Sequence, residues 1–173
     1  TGNTIITNGG GGAILTDDPV LAKREKHLTN TAKVPHRWEY IHDMIGYNYR
    51  MPNLNAALGC AQLEKLTEII TSKRRLYMQY NDGFEYITQV SLFQPPTHSK
   101  NNSLLQTILL DESVSNMRDK ILKATNDAGL MTRPAWLKIN TLPPFVECQS
   151  SNVPVTESLV SRIINLPSSP GLQ

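Results

Sequence analysis

The sequence predicts an α/β protein: a small two-layer α/β unit accompanied by a hairpin and a long helix. Three observations carry this. Residues 90 to 170 alternate short β-type runs with helical patterns, the arrangement that packs helices on a sheet. Apolar residues keep a helical period from Pro52 to about Tyr86. Near the start, two short β-type runs are split by four glycines.

Ile5-Ile6-Thr7 and Gly12-Ala13-Ile14-Leu15-Thr16 read as the arms of that hairpin. Backbone geometry is reason enough for glycine at positions 9–12. Anion binding by backbone N–H groups is the other reading, but no GK[ST] follows, so this is not a P-loop. Asp17-Asp18-Pro19 supplies an N-cap and a first-turn proline for a helix over 20–28. Residues 29–49 have no clean period and are predicted to form a long loop, a place where function concentrates. In the long helix, Leu54, Ala57, Leu58, Ala61, Leu66, Ile69, Ile70 and Leu76 fall on one stripe, with room for a bend.

Beyond it, Val90 to Phe93 is an extended piece closed by Pro95-Pro96, and Leu104 to Leu110 a strand. Residues 114–128 form an amphipathic helix stopped by Gly129. Leu130 to Pro134 reads as a strand, 138–153 as irregular, 156–163 as a short helix and 164–167 as a last extended piece.

At 173 residues, 39% hydrophobic and 18% charged, the chain has the size of one globular domain, or one domain with an appendage. A formal charge of +2 gives no case for nucleic acid. Lys73-Arg74-Arg75 reads as a solvated helix face. Cys60 and Cys148 belong to no CxxC pair, so neither a metal site nor a disulfide framework is expected; free thiols in a reducing cytoplasm are. No apolar run reaches the ~18 residues of a membrane span, and no signal-peptide pattern opens the chain.

Five motifs share one resemblance. Thr1-Gly2-Asn3-Thr4-Ile5-Ile6-Thr7-Asn8-Gly9-Gly10-Gly11-Gly12 is similar to the cofactor-anchoring string Gly-Asn-Lys-Ile-Ile-Thr-Thr-Gly-Gly-Gly-Gly of the DegT/DnrJ/EryC1/StrS family. These are nucleotide-sugar aminotransferases that use pyridoxal phosphate (PLP). The stretch from Gly46-Tyr47-Asn48-Tyr49-Arg50-Met51-Pro52 to Leu63 resembles the same family over its whole length and is far more specific than the glycine run. Pro35-His36-Arg37-Trp38-Glu39-Tyr40-Ile41-His42-Asp43 looks like members acting on amino-sugar nucleotides. Met131 to Trp136 and Ile163 to Leu172 complete the match. The resemblance covers residues 1–173 and corresponds to the carboxyl-terminal half of a protein about twice as long.

The resemblance implies a truncated type I aminotransferase fold. Residues 1–75 would be a remnant of the large PLP-binding domain and 76–173 the small α/β domain. It implies that Asn48 reaches a partner subunit's PLP phosphate and that Arg50 lines the partner's active site; the other reading is that both only cap the helix and pair locally. His36, Arg37 and Trp38 would stack a base and hold a diphosphate. His42 and Asp43 would make an acid–base pair, with structural hydrogen bonding the favoured alternative.

The match breaks at its most important position. Thr4 stands where the family has the lysine that holds PLP as an imine and moves the proton during transamination. A hydroxyl does neither. Lys23, Lys26 or Lys33 could replace it only along a different backbone path. The family's aromatics near Ser103-Leu104 are absent, and Asn140 stands where a histidine is frequent. The expectation is therefore a truncated homologue without catalytic residues, without bound PLP and without transaminase activity, self-associating as a dimer to cover its bare faces. The alternatives are a sugar-nucleotide binding module and one half of a split aminotransferase, the latter disfavoured by Thr4.

Overall fold

The computed structural model describes residues 4–172. Thr1 to Asn3, the opening of the first motif, lie outside the described residues, as does Gln173. The chain divides into two compact units, Thr1–Leu66 and Thr67–Gln173.

In the first unit, α1 (Pro19–Thr29) begins as its sequence requires: the Asp18 carboxylate accepts from the Val20 and Leu21 amides at 2.8 and 3.2 Å, and Pro19 occupies the first turn. The following loop is less irregular than expected. It contains a two-stranded antiparallel ribbon, β1 (Lys33–Val34) with β2 (Ile41–His42). Helix α2 (Asn53–Glu64) starts after Pro52, whose carbonyl accepts from the Ala56 amide at 3.0 Å.

The hairpin expected over 5–16 does not form. Those residues hold no strand. The glycine run is tied to α2 instead. Asn55 Nδ2 donates to Asn8 O at 2.6 Å, and the Thr7 amide donates to Gln62 Oε1 at 3.4 Å. Gly9 (φ 79°) and Gly11 (φ 144°) sit in the left-handed region, where glycine alone is unstrained.

The long helix is two helices. Lys65 leaves α-helical geometry (ψ 0°) and separates α2 from α3 (Leu66–Phe84), which belongs to the second unit from Thr67 on. That unit is a four-stranded antiparallel sheet in the order β3-β4-β6-β5. Its strands are β3 (Val90–Leu92), β4 (Gln106–Leu110), β5 (Arg133–Pro134) and β6 (Ile163–Leu166). The strand expected over 130–134 thus contributes only its last two residues. The amphipathic segment before Gly129 splits into a 3-10 stretch, Glu112–Met117, and α4 (Arg118–Asp127). Gly129 (φ 81°) stops it as a left-handed residue. A last helix, α5 (Pro154–Arg162), leads directly into β6.

Residues alternate along β4, so Gln106, Ile108 and Leu110 are its buried positions. With Leu92 and Ile164, Ile108 and Leu110 form the core. Tyr77, Tyr80 and Phe84 of α3 and Ile121 and Leu122 of α4 cover it. This is the two-layer α/β unit the sequence predicted. The basic run does not behave as predicted: Arg74 and Arg75 are exposed, but Lys73 is buried. Among the described residues, no helix is long and apolar enough to cross a membrane.

Candidate functional site

His36, Arg37, Trp38, His42, Asp43, Asn48 and Arg50 lie in the first unit, on the backbone between the end of α1 and the start of α2. Their support is a strained turn. Thr31 (φ 66°) and Ala32 (φ 50°) are consecutive left-handed residues, rare for alanine and rarer for a β-branched threonine. Hydrogen bonds over-determine them. The Ala32 amide donates to His27 O at 2.9 Å and the Thr31 amide to Tyr47 O at 3.0 Å. Gly46 passes so close that a Cβ there would lie 2.4 Å from the Ala32 nitrogen.

This turn holds the Tyr47-Asn48-Tyr49 backbone. The Tyr47 amide donates to Leu28 O at 2.7 Å, the Tyr49 amide to Thr29 O at 3.0 Å, and Asn48 faces Asn30 in an isolated antiparallel bridge. Asn48 is exposed. Arg50, also exposed, reaches an open cavity of about 1030 Å³. The cavity wall includes Gly10, Gly11 and Gly12, Glu25 and Lys26 of α1, and Asn55 of α2. Arg50 and Lys26 give it two cations, with Glu25 beside them.

His42 and Asp43 do not pair with each other. Asp43 Oδ1 accepts from His27 Nε2 at 2.6 Å, while His42 Nδ1 donates to Thr31 O at 2.7 Å. His42 ends β2 and Asp43 lies in the bend after it, so the two side chains take different partners. Both contacts brace the strained turn, in keeping with the structural reading. The hydrogen bond from His27 is the chief reason the Asp43 carboxyl is held below its ordinary 3.8.

His36, Arg37 and Trp38 come together at the tip of the β1–β2 ribbon. The His36 and Trp38 rings meet edge to face at 5.3 Å, and the Arg37 guanidinium lies 5.7 Å from the Trp38 ring. His36 Nδ1 accepts from the Glu39 amide at 2.9 Å, which places its proton on Nε2. Trp38 and Tyr40 are 70% and 82% exposed, and Lys33 Nζ sits 4.1 Å over the Tyr40 ring. This tip offers exposed π-faces flanked by cations.

Thr4 is exposed, and its hydroxyl donates to Ile6 O at 2.6 Å. Among the described residues, no cluster of histidine, cysteine or acidic side chains could hold a metal. Both cysteines are free and exposed. Sequence reasoning missed His27, the Thr31–Ala32 turn and the cavity wall of Lys26 and Asn55. The one available signal was Gly46, a glycine outside any turn motif.

A mixed α/β chain with this connectivity has the fold of the sugar aminotransferases. The model of the DegT/DnrJ/EryC1/StrS aminotransferase family matches residues 1–173, and the chain belongs to that family. It is 34% identical over 174 residues to GDP-perosamine synthase of Escherichia coli O157:H7, covering 99% of this chain and 45% of that protein. With GDP-perosamine synthase of Vibrio cholerae it shares 32% identity over 177 residues, again 99% of this chain and 46% of the relative. Among solved structures, DesI in the presence of its TDP-sugar product superimposes with a TM-score of 0.81 at 25% identity, covering 98% of this chain and 43% of DesI. PseC of Helicobacter pylori gives 0.81 at 19% identity, covering 91% and 43%. The chain therefore spans about half the length of the curated relatives it matches.

Proposed function

We propose that this chain is a homologue of nucleotide-sugar aminotransferases that does not itself catalyse transamination. The family is one of PLP-dependent aminotransferases. The observation that carries the reading is Thr4, at the position where the family's motif has its lysine. PLP held there would require an amine, and a threonine hydroxyl donating to Ile6 O offers none. The residues at that position do not fit the cofactor as a covalent guest, so no reaction step runs through it.

The test is chemical. The protein is mixed with PLP, reduced with borohydride, digested and mapped by mass. No stoichiometric pyridoxyl group is expected on any lysine; a single fully modified lysine peptide would overturn the reading. Thr4→Lys is expected to restore no turnover of a sugar nucleotide with glutamate, because the Ser103-Leu104 and Asn140 positions have also departed from the family pattern.

What remains in this reading is binding. Asn48 would meet a cofactor phosphate across a subunit interface, and Arg50 with His36, Arg37 and Trp38 would meet a sugar nucleotide. The exposed Trp38 and Tyr40 rings beside Arg37 and Lys33 support that second role, since a base stacks on such faces and a diphosphate pairs with such cations. Calorimetry with UDP- and GDP-sugars checks it; no heat at millimolar ligand counts against it. We further propose self-association. In the first unit, Leu15 and Leu54 are 91% and 85% exposed, and a second copy would cover such a surface. Light scattering should report more than one chain per particle at micromolar concentration. A folded monomer would end that proposal.

A further inference from the structure

Lys73 has no part in the proposed site, yet in the second unit it is only 4% exposed. Its ammonium donates to the carbonyl of Ser168, and among the described residues no carboxylate lies within ion-pair distance. A buried cation is costly to place, and partners are usually found for it. Here the partner is one backbone carbonyl of a segment that no strand accompanies. Residues 167–172 follow β6, and side chains of α3 take their carbonyls one by one. Ser72 Oγ donates to Pro170 O at 2.6 Å, Lys73 to Ser168 O, and Tyr80 OH to Pro167 O at 3.0 Å.

The other face of the contact is equally built. Gln106, at the start of β4, donates its amide to Ser168 Oγ at 2.7 Å and its side-chain Nε2 to Lys73 O at 3.1 Å. Gln106 is 1% exposed. Beside these contacts lies an open cleft of about 540 Å³, walled by Leu76 and Tyr80 of α3, by Leu130 and Met131, and by Pro167 and Leu172 of the segment itself.

We propose that residues 167–172 form a latch against α3, that Lys73 is its keeper, and that removing the Lys73 ammonium frees the segment while the four-stranded sheet stays folded. Ser72 and Tyr80 are secondary contacts: their hydroxyls carry no charge, and water replaces them more readily at a partly exposed position. Burial also lowers the Lys73 pKa below its ordinary 10.5, because desolvation disfavours the charged form; the contact with Ser168 is what offsets that cost. Freed, the segment opens one wall of the cleft.

The experiment is backbone 15N relaxation and amide exchange on the whole chain, comparing wild type, Lys73→Met and the pair Ser72→Ala/Tyr80→Phe. In Lys73→Met, order parameters of Ser168, Ser169 and Gly171 should fall from about 0.85 to below about 0.6. The Gln106 amide should exchange at least about tenfold faster, while Ile108 and Leu110 keep their protection. The paired variant should change Gln106 exchange by less than about threefold. The proposal fails if Lys73→Met leaves the segment rigid, or if the paired variant frees it as fully. Should Lys73→Met not fold, wild type in sub-denaturing urea decides: the Gln106 amide must open before the amides of Ile108 and Leu110, and simultaneous opening overturns the latch.

Discussion

The two units are held by different physics. Of the six buried apolar residues among those described, Leu76, Leu92, Ile108, Leu110 and Ile164 lie in the second unit and only Ala32 in the first. The second unit closes a sheet under two helices and keeps itself together by burial. The first spends its order on hydrogen bonds, a helix cap and a strained turn, while Trp38, Tyr40, Tyr49 and Leu54 stay in water. The second unit exposes large apolar side chains too, Tyr86 and Trp136 among them, so the two differ in what they bury and not in what they leave outside. The first unit's site residues sit on backbone fixed by polar contacts, which hold geometry well and stability poorly.

The strongest way to break that comparison is in the second unit. Ile164→Ala removes a fully buried branch from the core and should cost about 2–5 kcal/mol. The urea midpoint followed by far-UV circular dichroism checks it. A loss under about 1 kcal/mol would mean that burial is not what holds this unit.

In the first unit the largest effect should come from one added methyl. Gly46→Ala drives a Cβ into the Ala32 backbone, an overpacking cost of about 1–3 kcal/mol. It should read out as faster amide exchange at Thr31, Ala32 and Tyr47, with Ile108 and Leu110 unchanged. Asp18→Ala deletes the α1 cap and should cost about 1 kcal/mol. Its signature is lost protection at Val20 and Leu21.

Acid and base give the gentlest contrast. Asp43 in the first unit and Asp111 in the second are both held below 3.8, by the hydrogen bonds from His27 and from Ser113 respectively. A depressed carboxyl adds stability above its unfolded pKa, and that stability is lost as pH falls through the folded value. Both units should therefore weaken slightly below pH 4. The alkaline limb involves three groups of the second unit. Burial lowers Lys73 below 10.5, so stability rises as pH climbs toward 10.5. Burial raises Tyr77 and Tyr80 above 10.0, so their contribution is lost once pH passes their folded values. Thermal midpoints between pH 8 and 11 should show a shallow maximum near pH 10 that Lys73→Met removes from its rising side.

Legibility in the sequence followed the range of the interactions. Helix α1 could be placed because Asp18 and Pro19 are local signals, and Gly129 marked the stop after α4 for the same reason. Pro52 marked the start of α2 in the same way, with Asn48 and Arg50 just ahead of it. The missing hairpin was not legible, because Asn55 and Gln62, far along the chain, take the backbone groups of Asn8 and Thr7. Nor was Lys73, since a charge in a basic run looks solvated until residues ninety-five positions away lie across it. The pairing of His27 with Asp43 spans 16 positions, still beyond local pattern, and left-handed Thr31 contradicts its own local preference. Propensity names what a segment favours alone; these three are imposed by neighbours.

The Thr31–Ala32 turn has a consequence for engineering. Chain entry to the ribbon at Ala32 and chain exit at Gly46 are stitched together at one point, and Thr31 bonds directly to Tyr47 on the far side. Residues 33–45 therefore behave as a cassette with a fixed socket. Their tip can be exchanged for a loop of another length or chemistry while Asn48 and Arg50 keep their places, provided that Thr31, Ala32, His42, Asp43 and Gly46, which make the socket, are carried with the scaffold and not with the insert.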